Sequence, residues 1–319
     1  MLIYADSLIE FKWFQSLSKD FNDSKYIKIM GRNENPLIVE EIIKYDRPDI
    51  ILVDEESQQP LLVLEKTREV PTGHNVGQRT ARMVRAAEMG IPFIFYMPFK
   101  ARKHGKMTTI LDMNARLIKA MLNIWEIHKT PAILINWKCD ANGELINDGT
   151  QNERLKEILP MFYSKDFVKN NSLLARIKNE MLNEYEERVI EFKNYAHPPK
   201  SLQLYKTKEL IEAHNKELSE KDIKKLMIFK ESAVYKIGML PKSSKRQDPY
   251  TGMQFIYDFL YCRVGPTPEQ KKRNLILYFP NLEKEFWLKT NPDNKNTKSS
   301  NWYLCANGLL FRNGYLRLR

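Results

Sequence analysis

The chain has 319 residues, enough for one large domain or two ordinary ones, and its 43% hydrophobic and 11% aromatic content excludes wholesale disorder. No apolar run reaches the roughly 18–20 residues that a membrane span needs, and acidic residues inside the opening MLIYADSLIEFKWF argue against a signal peptide. A net charge of +11, with fourteen Lys/Arg against six Asp/Glu in residues 240–319, favours a polyphosphate partner over a membrane surface, because the charge is not gathered on one amphipathic helix. Cys139, Cys262 and Cys305 are far apart and odd in number, so they fit a reduced cytoplasmic protein and form no zinc pair.

In chain order, residues 7–20 predict an amphipathic helix with Leu8, Phe11, Phe14 and Leu17 on its apolar side. A second helix is expected from Pro36 to Tyr45, with proline at its start. Arg47–Val53 then reads as a β-branched strand, and Leu61–Thr67 as its partner across a polar turn. After the loop VPTGHN, a helix is expected over Val76–Met89, stopped by Gly90. IPFIFYMP predicts a buried strand, Thr108–His128 a helix, and AILINW one more strand. The alternation predicts an α/β fold with a mixed central sheet flanked by helices. From Phe162 to Lys236 the sequence reads as helical and highly charged. The tail from 247 carries a DPYTG turn, a helix-like GMQFIYDFLYCR, a strand-like NLILYFP and two Asn-Gly pairs that signal β-hairpins. A boundary near residue 160 would divide a core, 1–160, from a helical and β-ribbon region, 161–319.

Chemistry concentrates in the first part. Asp49 opens a strand directly after Pro48, and Glu65 lies near the end of the next, with 15 residues between them. Carboxylates in apolar strands are costly to bury unless they are paired or hold a metal. Two that converge across a hairpin offer oxygen ligands suited to Mg²⁺.

Residues Glu41 to Pro98 thereby resemble the PD-(D/E)xK nuclease superfamily, which includes many type II restriction endonucleases. The resemblance implies a restriction-endonuclease-like core that hydrolyses double-stranded DNA with Mg²⁺. It makes Asp49 and Glu65 metal ligands, with a further acid at Glu41 or Glu40 and support from Gln78 in the following helix. Glu41 is favoured over Glu40 because it lies three residues from Ile38 on the apolar face. The sequence departs from the family at Thr67, which falls where Glu-x-Lys has its lysine, while Lys66 is expected to point to the other face. A bulge could bring Lys66 round, or Arg68, Arg79 or Arg82 could substitute; otherwise the site binds DNA without cutting it.

Arg68, Arg79, Arg82 and Arg85 cluster in sequence near Glu65, with Arg102 beyond the next strand; phosphate clamping and a solvated basic helix face are both open readings. His74 is a weak candidate for a general base. Lys245 and Arg246, in a basic stretch with interleaved aromatics, are candidate DNA contacts. The expected function is a site-specific endonuclease acting as a possible homodimer, with a DNA methyltransferase as genetic partner. The alternatives are a structure-specific repair nuclease and a non-catalytic DNA-binding protein.

Overall fold

A computed structural model describes residues 1–31, 33–71, 74–102, 109–113, 115–164, 171–191, 202–238, 273–289 and 302–318. The apolar runs of β1 (Leu2–Ala5), β3 (Ile50–Val53), β5 (Phe93–Met97) and β8 (Ala132–Asn136) have almost no polar alternation, and nearly every residue in them is buried. Strands of that kind need cover on both faces. Together with β2 (Lys25–Lys28) and β4 (Pro60–Lys66) they form a six-stranded mixed sheet of order β2-β1-β3-β4-β5-β8. β3 runs antiparallel to its neighbours β1 and β4, and every other neighbouring pair is parallel. The helices α1 (Leu8–Gln15), α2 (Leu37–Ile42), α3 (His74–Glu88) and α4 (Ala115–His128) flank it, and the short helices α5 (Glu153–Ile158) and α6 (Pro160–Tyr163) follow β8. The molecule is therefore mixed α/β with a mixed central sheet flanked by helices.

Helix ends follow local chemistry. Ser7 is the N-cap of α1: its hydroxyl accepts the Glu10 amide at 3.2 Å and donates to Glu10 Oε2 at 3.1 Å. Gly90 ends α3 at φ +74°, a left-handed backbone that glycine adopts without a Cβ penalty.

Three expectations change. Residues 2–5 form β1, an interior strand of the sheet, where the sequence predicts no element. The helix expected from Thr108 begins at Ala115, because Ile110–Asp112 is strand β7, paired with β6 (Lys100–Arg102). The charged stretch 162–236 is helical in α7 (Asn171–Glu191), α8 (Thr207–Ala213) and α9 (Glu220–Leu226), but it also contains strands β9 (Leu202–Lys206) and β10 (Glu231–Lys236).

These two join β11 (Asn274–Phe279), β12 (Gly308–Phe311) and β13 (Gly314–Arg317) in a five-stranded mixed sheet. Its residues alternate as a pleated sheet requires. Ala233, Tyr235, Leu277 and Phe279 join the core that also holds the first sheet, while Val234, Ile276, Leu310 and Tyr315 pack with Leu210 and Leu226 of α8 and α9. Of the two Asn-Gly pairs, Asn313-Gly314 lies at the β12–β13 hairpin. Asn307-Gly308 instead enters β12, which is parallel to β11; Asn307 donates its N–H to Leu275 O and accepts the Leu275 amide, each at 2.8 Å. The DPYTG turn and the segment read as helix at 252–263 lie outside the described residues.

Candidate active site

Asp49 sits just before β3, and the register of β3 on β4 (Ile50 opposite Leu64) carries it toward Glu65, as the spacing predicts. Their side chains nevertheless enter different networks. Asp49 is 4% exposed; its Oδ2 accepts the Lys66 amide at 2.8 Å, and its carbonyl accepts the Asp6 amide at 3.0 Å. Asp6 directly follows β1, and Glu10 lies in the first turn of α1. One carboxylate oxygen from each of Asp6, Glu10 and Asp49 lies within 4.8 Å of the others, with Asp49 buried and the other two half-buried. Glu65 does not belong to this group.

Glu65, 1% exposed, points to α3. Arg79 Nε donates to its Oε1 at 2.9 Å, and Arg82 donates to its Oε2. Arg82, 3% exposed, also donates from Nε to Asp46 Oδ2 at 3.0 Å and from its second terminal nitrogen to the same oxygen. Burial alone would disfavour the charge on Arg82. The fields of Asp46, Glu65 and Asp49 outweigh it and raise its pKa above the ordinary arginine value.

Lys66 faces the opposite side of β4, as strand alternation dictates. Its ammonium lies 3.8 Å from the centre of the Trp13 ring on α1. Trp13 stacks on Tyr96 at 5.9 Å, and Tyr96 on Trp137 at 5.0 Å, which makes an aromatic wall beside the lysine. Burial lowers the Lys66 pKa, while Glu10 and Asp49 raise it and Arg68 lowers it further. Lys66 thus lies in the field of two of the three clustered acids. Its predicted orientation away from Glu65 puts it on the side of Glu10, with no need for a bulge.

The remaining predicted residues take other positions. Glu41 pairs with Arg85 and with Lys44, on a side chain 40% exposed, and Glu40 accepts the amides of Glu34 and Asn35 at 3.1 and 2.9 Å. Burial alone would raise the Glu40 pKa, but hydrogen bonds from the Asn35 side chain and from the Asn33, Asn35 and Glu34 backbone together outweigh it and hold the carboxyl below the usual range. Neither acid joins the cluster, because the loop that α2 caps consumes one and α3 the other. Thr67 is buried, and its hydroxyl accepts the Glu69 amide at 3.1 Å, so it closes a turn. Arg82 is enclosed and Arg79 is tied to Glu65, so of the three arginines expected to contact DNA only Arg68 is exposed. Gln78 and His74 lie in α3, but their side chains, with Lys245 and Arg246, lie outside the described residues.

Asp6 and Glu10 are the residues that sequence reasoning missed. A signal for them exists: Ser7-Leu8-Ile9-Glu10 is a capping-box sequence directly after a short apolar run, which marks a strand-to-helix junction. Comparison with protein-family models, with curated protein sequences and with solved structures gives no match for this chain. No described helix is long and apolar enough to cross a membrane.

Proposed function

We propose that this chain is a Mg²⁺-dependent endonuclease of restriction-endonuclease type, acting on double-stranded DNA as a site-specific type II enzyme. The observation that carries this reading is the convergence of Asp6, Glu10 and Asp49 within 4.8 Å, in a place where the Lys66 ammonium feels Glu10 and Asp49. β1 and β4 run in the same direction, so Asp6 and Lys66 lie at their carboxyl ends. That is the side of an α/β sheet where ligands generally bind.

The donor set fits the metal. Three carboxylates offer only oxygen, which suits a hard cation, and Mg²⁺ takes one or two of them together with waters and a phosphate oxygen. When bound, the ion supplies a more acidic water and neutralises charge on the phosphate. Asp49, Asp6 and Glu10 are the residues that would hold it. Lys66, seated against Trp13, presents ammonium donors to a water or a phosphate oxygen and takes the role for which Thr67 is unsuited. Glu65 becomes a structural anchor for α3. The basic C-terminal quarter, with Lys245 and Arg246, supports DNA affinity, and concerted double-strand cleavage calls for a homodimer.

A non-catalytic DNA-binding role is the second reading. It is favoured by the engagement of Glu65 with two arginines, which removes one acid that the family uses. Incubation of mapped phage DNA and supercoiled plasmid with the protein and Mg²⁺ or Mn²⁺ separates the two. Discrete bands, lost on Asp49→Ala with DNA binding retained, are expected; scattered nicks point to a repair-type nuclease. If neither metal yields any cleavage, the enzyme reading is wrong.

A further inference from the structure

Asp6 faces a cation as well as its two acidic neighbours. Arg47 Nε lies 2.9 Å from Asp6 Oδ1, a charge contact whose N–H is not aligned for a hydrogen bond, with the arginine side chain 32% exposed and the aspartate 18%. The guanidinium reaches this place on a fixed backbone. Arg47 donates its N–H to Asp46 Oδ1 at 2.8 Å, the enclosed Arg82 grips Asp46 Oδ2, and Pro48 restricts Arg47 from the other side. Three carboxylates this close repel one another when all are ionised, and a cation against one of them relieves the repulsion. Arg47 is thus built into the acid cluster, while part of its side chain remains open to a larger ligand.

We propose that Arg47 is the resident counter-cation of the cluster: it neutralises Asp6 until a divalent ion binds there, and is then released to pair with the phosphodiester. This rests on reading the cluster as a metal-dependent phosphodiester site. A guanidinium is the side chain that makes such an exchange, since it pairs with carboxylate and phosphate through the same planar fork.

The consequence is a pair of effects with opposite signs. Arg47→Gln removes a positive charge that competes with the metal, so divalent ions bind more tightly; it also removes a phosphate contact, so cleavage slows. A residue that merely props the fold, or merely aims Asp6, would weaken both together.

The test is Mn²⁺ binding by the full chain, followed from the electron paramagnetic resonance signal of the free ion, alongside single-turnover plasmid cleavage with Mg²⁺. Arg47→Gln is expected to bind Mn²⁺ about three- to tenfold more tightly than the wild type, and to cleave about tenfold or more slowly. Arg47→Lys, which keeps the charge, is expected to hold the Mn²⁺ affinity within about twofold. Asp49→Asn tests the underlying site reading: wild-type Mn²⁺ affinity in that variant overturns the site itself. If Asp49→Asn loses Mn²⁺ while Arg47→Gln binds it no more tightly than the wild type, the counter-cation proposal falls and the site reading stands.

Discussion

Arg82→Met is the sharpest test of the buried network. The substitution keeps much of the side-chain length and removes the cation shared by Asp46 and Glu65, which are 3% and 1% exposed. Glu65 retains Arg79 at 2.9 Å and Asp46 retains the Arg47 amide at 2.8 Å, but the buried cation that bridged the two acids is gone. Removing one partner of a buried ion pair costs about 3–5 kcal/mol. An unfolding entropy of about 2.1 cal/mol/K per residue gives roughly 0.67 kcal/mol/K over this length, so Tm should fall by about 5–7 °C. Taking a cation away from buried carboxylates raises their folded-state pKa relative to the wild type. Stability that rests on such a raised pKa is present at low pH and is lost as pH rises through it. The deficit relative to wild type should therefore be smaller at pH 5 than at pH 8. Urea denaturation at both values measures it. A loss under about 1 kcal/mol at pH 8, or an equal loss at both, would refute the network as a coupled buried set.

Glu10→Gln is expected to weaken Mn²⁺ binding about tenfold with little change in Tm, whereas Glu65→Gln, which strips the charge from an enclosed ion-paired acid, should cost about 2–4 kcal/mol and leave Mn²⁺ affinity within about threefold. The reverse ordering in the same titrations and melts would restore Glu65 as the ligand that spacing alone suggests. Gly308→Ala places a Cβ in hard collision with the Tyr315 hydroxyl and ring. It is expected to cost about 3 kcal/mol or more in chemical denaturation, and Tyr315→Leu in the same chain should recover a large part of the loss.

The central sheet was legible because β3, β4, β5 and β8 are continuous apolar runs bounded by turn residues. β1 was not, since Leu2–Ala5 is only 4 residues long and merges with the apolar face of α1 in sequence. β9 and β10 were hidden by their surroundings: Lys206, Glu231 and Lys236 terminate the strands, and the stretch around them is charged and carries helix-favouring residues. At the site, Asp49 was visible from the proline before it and the apolar run after it. Asp6 and Glu10 were not, because their nearness to Asp49 arises from pairing of β1 with β3, a long-range contact that no local spacing encodes. Glu41 matches the helix position that the nuclease resemblance implies, but Arg85 of α3 captures it.

The division of Asp49 from Glu65 has a definite physical origin. Residues opposite each other across antiparallel strands share a face, so register alone would pair these acids. Two carboxylates placed so, with no cation between them, repel. α3 supplies Arg82 within reach of Glu65 and Asp46, and a guanidinium only 3% exposed has to be satisfied by acids close at hand. Glu65 therefore turns to α3. Asp49 turns along the strand to the Lys66 amide and comes to lie beside Asp6 and Glu10. The same alternation that sends Glu65 one way sends Lys66 the other, over Trp13, so acid and ammonium still meet, on the α1 side of the sheet. Arg79 holds the second oxygen of Glu65 in the same direction. The helix against which each acid settles is thus set by two arginines of α3 and the parity of one strand.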